Sequence, residues 1–378
     1  MGKKKIRVEL RKNRTKPPRA NAWTQGFQIH GYEDIATTAD ERVRAKGDLS
    51  RYRTVTQDDS VGAGESATDA AMPAADLTAC RPGRVLRIHG LQCVVETADG
   101  ILHRCAVRRL LKSLITDERS IVTTGDRVWF RDAQNGEGMI ERVEPRHGVL
   151  TRASRRREHV LVANVDQLAI VMSLVEPNLK PHLIDRYLAT AQMGGLSPVL
   201  LLNKSDLVEH ANLQPMIGAY SQLGVPTLLT SAQTGEGVER LRTMLKDRAT
   251  VFSGQSGVGK SSLLNALQPG LSLRVRTVSE VNDKGRHTTT TAELIRLNGG
   301  GWVVDTPGVR QLQLWATASA DVEGFFPEFR PFVALCGFPD CTHTHEGNCA
   351  VKRAVARRLV SVRRYHSYMG MFTGAEEA

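Results

Sequence analysis

A glycine-rich run at residues 254–261, with the sequence GQSGVGKS, has the residue types needed to hold phosphate groups. It fits the pattern GxxxxGK[ST], for which we expect a strand before the run and a helix after it. The glycines let the backbone curl so that its N–H groups point at phosphate oxygens at a helix N-terminus. Lys260 would neutralise phosphate oxygens, and Ser261 would be a magnesium ligand. The predicted contacts are Gly254, Gln255, Ser256, Gly257, Val258, Gly259, Lys260, Ser261 and Ser262.

Two further runs match the parts of a site that reads guanine. The run NKSD ends at Asp206, whose carboxylate can accept hydrogen bonds from guanine N1–H and the exocyclic amine. Adenine offers no such donor pair, so the carboxylate would be left unpaired against it. Asn203 would contact the base edge or brace loops, and Lys204 would pack along the base. Ser231 and Ala232 would approach guanine O6 through backbone N–H groups.

The order of these motifs along the chain is unusual. The run DTPG begins at Asp305, which would hold magnesium through water, while the Gly308 N–H would meet the γ-phosphate. In a Ras-like GTPase the phosphate loop comes first and the guanine loop comes late, whereas here the guanine loop comes first. Alternating strands and helices, with helices near 181–193 and over 238–245, indicate an α/β layered fold with a mostly parallel sheet. The sequence therefore predicts a circularly permuted P-loop GTPase.

The group that activates water is not supplied by the DxxG run. Val309 follows its glycine and cannot orient water as the nearby glutamine of Ras-like enzymes does. His287, in the run GRHTTT, is the best candidate for this catalytic role, and a residue that only contacts RNA or caps a turn is the other interpretation. Thr289 is our choice for the magnesium-sensing threonine, with Thr288 and Thr290 as alternatives.

A cysteine-rich cluster near the C-terminus could bind a metal ion. Its spacing is Cys336-x4-Cys341-x-His343-x5-Cys349, and His345 is a competing ligand. Three thiolates and an imidazole suit a closed tetrahedral zinc site that leaves no position open for catalysis. One structural zinc ion is therefore expected.

Length and charge limit the number of domains and the classes of partner that we expect. A chain of 378 residues suggests two or three domains. It has no apolar run of about 18 residues and no secretory signal, so we expect a cytoplasmic protein without a membrane span. The net charge is +11, and positive residues cluster at 3–19 and 352–364. Such clusters are typical of nucleic-acid contacts, although a solvated tail is the other interpretation.

The region before the motifs divides into two parts. Residues 83–145 contain short β-type runs, including 84–96 and 101–107 around the turn Asp99-Gly100, and predict a small β-barrel. The pattern does not separate an OB-fold from an SH3-like barrel, though OB barrels commonly bind oligonucleotides. The first 75 residues or so are polar and basic, which predicts a disordered arm and linker.

A barrel, a permuted GTPase and a zinc cluster in this order resemble the ribosome small-subunit-dependent GTPase A family. The motifs that carry the resemblance are ANVDQ at 163–167, NKSD at 203–206, GQSGVGKSSLLN at 254–265, GRHTTT at 285–290, DTPGV at 305–309 and CGFPDCTHTHEGNC at 336–349. It covers roughly residues 80–370 and implies an OB-type barrel. It also selects His343 over His345 as the zinc ligand.

The resulting prediction has four segments: an arm and linker (1–78), an OB-like barrel (79–150), a permuted GTPase domain (151–316) and a zinc-binding helical module (317–378). The resemblance implies a GTP hydrolase, using magnesium, that acts in late maturation of the small ribosomal subunit. It also implies binding to ribosomal RNA and stimulation by the subunit, and we expect a monomer. The alternative is a nucleotide-gated RNA-binding or translation factor with negligible turnover.

Overall fold

The computed structural model describes residues 76–89, 92–108, 111, 121–154, 157–271, 292–305 and 319–374, together with the backbone of two short strands nearer the N-terminus. These strands, β1 (Lys5–Glu9) and β2 (Tyr52–Thr56), pair antiparallel. They lie inside the arm for which the sequence predicted no regular structure. Each run is only five residues long and its partner is distant in the chain, so local periodicity gave no sign of the pairing.

The first larger unit is a closed barrel of five strands in the order β3-β4-β5-β7-β6. Its strands are β3 (Arg81–His89), β4 (Gln92–Glu96), β5 (Leu102–Val107), β6 (Arg127–Gln134) and β7 (Glu137–Val143). Strand β3 pairs with both β4 and β6, which closes the barrel, and β5 runs parallel to β7. This Greek-key order is that of an OB-fold, so the predicted barrel is confirmed. The sequence predicted a single run over 84–96, which is wrong, because these residues belong to two antiparallel strands, β3 and β4.

The barrel interior is filled mainly by apolar side chains, and buried and more exposed positions alternate along β4 and β5. Val85, Val95, Phe130 and Ile140 are fully buried there. Gly138 is required at a tight point, because a Cβ atom on it would lie 2.7 Å from the Phe130 ring. Period-2 alternation is what a strand shows when one of its faces lines a core.

A hairpin follows the barrel and was not predicted. It consists of β8 (Val149–Ser154) and β9 (Arg157–Ala163), which pair antiparallel. Strand β9 begins with the charged pair Arg157 and Glu158, and β8 carries Arg152 among small and polar residues, so neither strand shows the apolar alternation that usually marks a strand. The hairpin joins the barrel to the main sheet.

The main sheet has six strands in the order β12-β11-β10-β13-β15-β14. They are β10 (Gln167–Ser173), β11 (Ser197–Asn203), β12 (Thr227–Thr230), β13 (Ala249–Ser253), β14 (Glu293–Arg296) and β15 (Trp302–Asp305). Neighbouring strands are parallel except β14 and β15, which are antiparallel. The chain enters at β10 and reaches the strand before the phosphate loop, β13, only later. The predicted permuted α/β fold is confirmed.

Helices cover both faces of this sheet. Those of the GTPase region are α1 (Pro181–Met193), α2 (Gln214–Gln222), α3 (Val238–Leu245) and α4 (Lys260–Leu267). Along β10, Leu168, Ile170 and Met172 pack towards α1 and α2, whereas Ala169 and Val171 pack towards α3 and α4. Each face therefore has its own buried core.

The barrel is attached to the β14 edge of the sheet. The Arg84 guanidinium donates to the Asn164 carbonyl oxygen at 2.7 Å and lies 4.6 Å from the centre of the Trp302 ring. Burial, and secondarily the nearby Arg127, lower the pKa of Arg84 to about 10, so it remains charged at neutral pH. Thr124 of the barrel region donates to the Ala292 carbonyl oxygen at 2.9 Å, just before β14.

Two ion pairs extend this seam. Arg87 pairs with Glu293 at 3.0 Å, and Arg296 pairs with Glu96 at 3.5 Å. The paired side chains are 44–56% exposed except for Glu96, which is 12% exposed, and ion pairs at such exposed positions contribute little stability by themselves. They place β14, which follows the predicted switch run, directly against the barrel.

The C-terminal module is a small helical unit packed against α1. It contains a 3-10 helix (Ser319–Phe325), α5 (Arg330–Val333), α6 (Ala350–Ala356) and α7 (Val362–Thr373). Arg364 of α7 is buried, donates to Asp185 of α1 at 2.9 Å and to Glu328 at 2.7 Å, and lies 4.3 Å from the Phe326 ring centre. Among the described residues, no helix is both long and apolar enough to cross a membrane.

Candidate nucleotide site and metal centre

The predicted nucleotide motifs meet at one edge of the sheet. The phosphate loop follows β13, Asn203 ends β11, Ser231 follows β12 and Asp305 ends β15. These strands are parallel, so their carboxyl ends lie along the same edge. In open α/β sheets, ligands bind outside this edge. The fold therefore brings together motifs that are widely separated in the sequence.

The phosphate loop has the backbone shape that its glycines permit. Gly254 has φ +150°, and a Cβ atom there would lie 2.1 Å from the Val171 carbonyl oxygen. Gly259 has φ +92° and precedes α4, the first residue of which is Lys260. The Lys260 ammonium group donates to the carbonyl oxygens of Gly254 at 2.7 Å and Gln255 at 2.6 Å. The lysine thus lies over the loop whose N–H groups would hold phosphate.

The remaining predicted residues of this loop differ in exposure. Val258 is fully buried and anchors the loop in the core shared with α3 and α4. Ser256 is exposed, while Ser261 and Ser262 are half-buried in the first turn of α4. The helix start therefore presents both hydroxyl-bearing residues close to the loop.

Asn203 braces the guanine loop against the phosphate loop. Its amide nitrogen donates to the Val258 carbonyl oxygen at 2.8 Å, and its amide oxygen accepts from the Thr230 hydroxyl at 3.2 Å. The side chain is buried, and a Cβ atom at Gly259 would lie 2.4 Å from its nitrogen. Of the two roles that the sequence left open for Asn203, these bonds favour bracing.

Lys204 and Asp206 occupy the turn after β11. Lys204 has a left-handed backbone with φ +62°, and its ammonium group donates to the carbonyl oxygens of Val175, at 3.2 Å, and of Glu176. The turn continues into a 3-10 helix, Ser205–Leu207, on which Asp206 is exposed. Lys204 is thus fixed by its backbone partners, and the Asp206 carboxylate faces solvent, where a base could reach it.

Glu236 is a supporting residue that sequence reasoning missed. It accepts a hydrogen bond from the Ser205 hydroxyl at 2.6 Å, and its carbonyl oxygen accepts from the Ser231 N–H at 3.0 Å. The Ser231 hydroxyl in turn accepts from the N–H groups of Gln233 and Thr234 at 3.2 and 3.1 Å. Ala232 follows Ser231 and is half-buried. Glu236 therefore ties the NKSD loop to the Ser-Ala loop, and no motif in the sequence signals it.

The run ANVDQ has a structural explanation. Asn164 is buried, its amide donates to the Gly125 carbonyl oxygen at 3.2 Å, and its amide oxygen accepts from the His147 N–H at 3.1 Å. The Asp166 carboxylate accepts from the Ala249 N–H at 2.7 Å, at the start of β13. These residues therefore have a structural role. They connect the barrel, the hairpin and the phosphate-loop strand, and they do not belong to the sheet edge at which the nucleotide motifs meet.

Several predicted residues lie outside the part of the chain that the structure describes. They are His287, Thr288, Thr289, Thr290, Gly308 and Val309. For Asp305 the structure gives its backbone position at the end of β15. The binding loops for phosphate and guanine are therefore described, and the predicted catalytic run is not.

The four predicted metal ligands come together in the C-terminal module. The ligand atoms of Cys336, Cys341, His343 and Cys349 all lie within 4.8 Å of one another. His343 Nδ1 is 3.6 Å from the Cys336 sulfur and 3.4 Å from the Cys349 sulfur, and these sulfurs are 3.9 Å apart. Tetrahedral bonds of about 2.3 Å to sulfur and about 2.0 Å to nitrogen would separate such atoms by roughly 3.5–3.8 Å. The cluster could hold a metal ion, and its geometry fits one.

The surroundings of the cluster hold the histidine in place. His343 is fully buried with φ +57°, and its Nε2 lies 3.0 Å from a Glu323 carboxylate oxygen. Hydroxyl groups of Tyr365 and Tyr368 donate at 2.7 Å to the carbonyl oxygens of His343 and Thr342. His345, the competing ligand, has a side chain that is 83% exposed. The arrangement therefore favours His343 as the fourth ligand.

A phosphate loop and a guanine-type loop on this reordered sheet define a circularly permuted GTPase. The sequence model of the RsgA GTPase family matches residues 143–315. The chain belongs to this family, which confirms the predicted resemblance, and it is a GTP hydrolase that converts GTP and water to GDP and phosphate.

Relatives and solved structures agree with this assignment. Proteins named "Small ribosomal subunit biogenesis GTPase RsgA" from Chlorobaculum parvum and Azotobacter vinelandii are 37% and 41% identical, covering 78% and 80% of this chain and 98% and 88% of their own length. The crystal structure of YjeQ from Thermotoga maritima is 34% identical with a TM-score of 0.65, covering 79% of this chain and all of that one. YloQ, described as a circularly permuted GTPase, is 27% identical with a TM-score of 0.62, covering 80% and 96%.

Proposed function

We propose that this GTPase acts as a monomer in the cytoplasm, in the late maturation of the small ribosomal subunit, that it binds ribosomal RNA, and that the subunit stimulates its turnover. The main support is that relatives aligned over most of their length are named as GTPases of small ribosomal subunit biogenesis. The net charge of +11 supports a polyanionic partner.

Exposed arginines on two units support an RNA-binding surface. The barrel and the C-terminal module both present guanidinium groups to solvent, which suits contacts to phosphate. On the barrel they include Arg104, Arg127 and Arg131, and on the module Arg353, Arg357, Arg358 and Arg363. The barrel packs against the sheet and the module against α1, and we propose that one RNA-containing particle contacts both units.

For the nucleotide, we propose that Asp206 selects guanine and that Lys260 neutralises the β- and γ-phosphate oxygens. The Asp206 carboxylate is exposed at the sheet edge, and Lys260 already lies over the phosphate loop. Ser261, Asp305 and Thr289 would hold magnesium, which when bound neutralises charge on the phosphate oxygens. The backbone N–H groups of the loop orient the triphosphate.

For the chemical step, we propose His287 as the residue that orients the attacking water. The support is from the sequence, since Val309 carries no group that could hold water after the DxxG glycine. Docking on the subunit would place His287, because assembly of a site on binding its partner is a common form of activation.

The metal proposed for the Cys/His cluster is one structural zinc ion. Three thiolates and an imidazole are the ligand set typical of closed zinc sites, and the distances between ligand atoms agree with tetrahedral bonding. All four side chains would be taken up by the metal, which leaves no place for substrate.

Phosphate release from GTP tests the proposal. We expect slow turnover by the protein alone, strong stimulation by small ribosomal subunits and little by large subunits. Stimulation should fall as salt rises, because contacts to RNA phosphates release counterions. Equal turnover with and without small subunits across a salt series would contradict the proposal. Negligible turnover under all conditions, with GTP-dependent binding retained, would favour a nucleotide-gated RNA-binding or translation factor.

A further inference from the structure

The His343 ring is held from outside the cluster by Glu323. Its Nε2 lies 3.0 Å from a carboxylate oxygen of Glu323, while its Nδ1 faces the sulfur atoms of Cys336 and Cys349. A neutral imidazole carries hydrogen on one nitrogen only, and the carboxylate can only accept. The contact therefore places the proton on Nε2 and leaves the Nδ1 lone pair directed at the thiols.

We propose that Glu323 is the positioning residue of the metal centre. It fixes the tautomer and orientation of His343 and raises the basicity of Nδ1, without touching the metal. Carboxylates that accept from a metal-bound histidine commonly have this effect. The His343 side chain is fully buried, whereas the Glu323 side chain is 38% exposed, so the carboxylate is the group that covers Nε2 on its solvent side. This inference rests on the proposed binding of zinc at the cluster.

The place of Glu323 in the chain gives the contact a second consequence. It lies on the 3-10 helix Ser319–Phe325, which is the first described element after β15. The α1 residue Gln192 donates to the Gly324 carbonyl oxygen at 3.2 Å, and Val322 is buried in the module core. Metal binding thus stabilises the point at which the chain enters the module beside the GTPase domain. Because such coupling is reciprocal, a contact that orders this helix would also raise the affinity of the cluster for its metal.

Other acidic residues near the cluster differ from Glu323 in what they contact. Glu346 accepts from the N–H groups of Thr342 at 2.7 Å and Thr344 at 3.0 Å, and so shapes the loop between ligands. Asp340 precedes the ligand Cys341 and is exposed. It carries the same charge close to the cluster without contacting the His343 ring, and therefore provides a matched control.

The experiment measures zinc affinity in the full-length protein by competition with a chromogenic chelator. Glu323→Ala should weaken zinc binding by about 10- to 100-fold. Glu323→Gln should show a smaller but measurable loss, because its amide oxygen still accepts from Nε2–H but without the charge. Asp340→Asn should keep the parental affinity. Cobalt loaded in place of zinc should show an altered visible spectrum in Glu323→Ala only.

The possible outcomes separate this inference from the zinc proposal. Parental zinc affinity in Glu323→Ala would overturn the role of Glu323. Equal losses of affinity in Glu323→Ala and Asp340→Asn would also overturn it, because they would show that only the net charge near the cluster matters. If Glu323→Ala does not fold, parental zinc affinity in Glu323→Gln would also overturn it. A parent protein that binds no zinc would refute the zinc proposal itself, independently of any variant.

Discussion

The nucleotide-binding sheet and the metal module hold their functional residues in different ways. The sheet has a separate core on each face, and its loops are joined by protein bonds such as those of Asn203 and Glu236. In the module, Cys341 and Cys349 are themselves part of the small core around Phe326, Phe329 and Tyr368. We expect from this comparison that the described phosphate and guanine loops are held in shape by protein contacts, whereas the module would draw much of its stability from the metal proposed for its cluster.

The largest effect is expected from removing the metal. Cys341→Ser should lose zinc and loosen residues 319–374, because structural zinc supplies about 10–16 kcal/mol of apparent binding energy in small zinc-dependent peptides. The sheet should remain folded and still bind nucleotide. Elemental analysis and hydrogen exchange would measure both effects, with Cys80→Ser as the control, because Cys80 lies outside the cluster. Loss of protection in the sheet to the same extent would refute the difference between the two regions.

The second prediction separates binding from chemistry within the nucleotide site. His287→Ala should reduce single-turnover hydrolysis on the small subunit by about 10²–10⁴-fold, as expected for a group that acts in proton transfer or water orientation. The affinity for GTP should be nearly unchanged, because the described phosphate and guanine loops are held by their own protein contacts and not by His287. Lys260→Ala should lower affinity and turnover together. An unchanged rate for His287→Ala would leave this histidine with only a structural role.

The third prediction tests whether the phosphate loop is preformed. Gly254→Ala should lower the free energy of unfolding by about 1–3 kcal/mol, because the added Cβ would lie 2.1 Å from the Val171 carbonyl oxygen. The positive φ of this residue adds a further loss, since alanine rarely adopts that backbone conformation. Gly218→Ala in α2 is the matched control, since nothing lies within 4 Å of its added Cβ. It should stabilise the protein by about 0.5–1 kcal/mol. Denaturant unfolding and GTP titration would measure both variants, and equal behaviour would argue against a rigid loop.

The smallest effect concerns base choice. Asp206→Asn should weaken GTP binding by about 1–3 kcal/mol for a lost charged hydrogen bond, with little change in protein stability because the side chain is exposed. The variant should gain affinity for xanthosine triphosphate, whose base offers an acceptor in place of the guanine amine. Competition titrations with the two nucleotides measure this. Parental GTP affinity in the variant would show that another residue reads the base.

The sequence predicted those elements whose signals are local. Helix α1 was expected near its observed bounds, since Pro181 at its start and Gly194 after its end are typical helix boundaries. The metal ligands and the phosphate loop were found because their spacing is short and their residue types are specific. The domain limits and the roles of individual site residues stay predictions.

Contacts between distant segments could not be predicted. Glu323 lies 20 positions before His343 and belongs to no motif, so only the fold shows that they meet. The Asn203 bond to Val258 spans 55 positions in the same way. The β1–β2 pair was missed because the two strands are short and remote from each other in the chain, and the β8–β9 hairpin because neither strand shows a regular apolar alternation.

The seam between barrel and sheet also sets how the protein would carry mechanical load. The barrel is attached at β14 and β15 through Arg84 and Arg87, and the module is attached at α1 through Arg364. In the sheet, β13 lies between β15 on one side and β10 on the other. A pull between the barrel and the module would therefore be transmitted partly through Asn164 into β10 and partly across β13, the strand that ends in the phosphate loop.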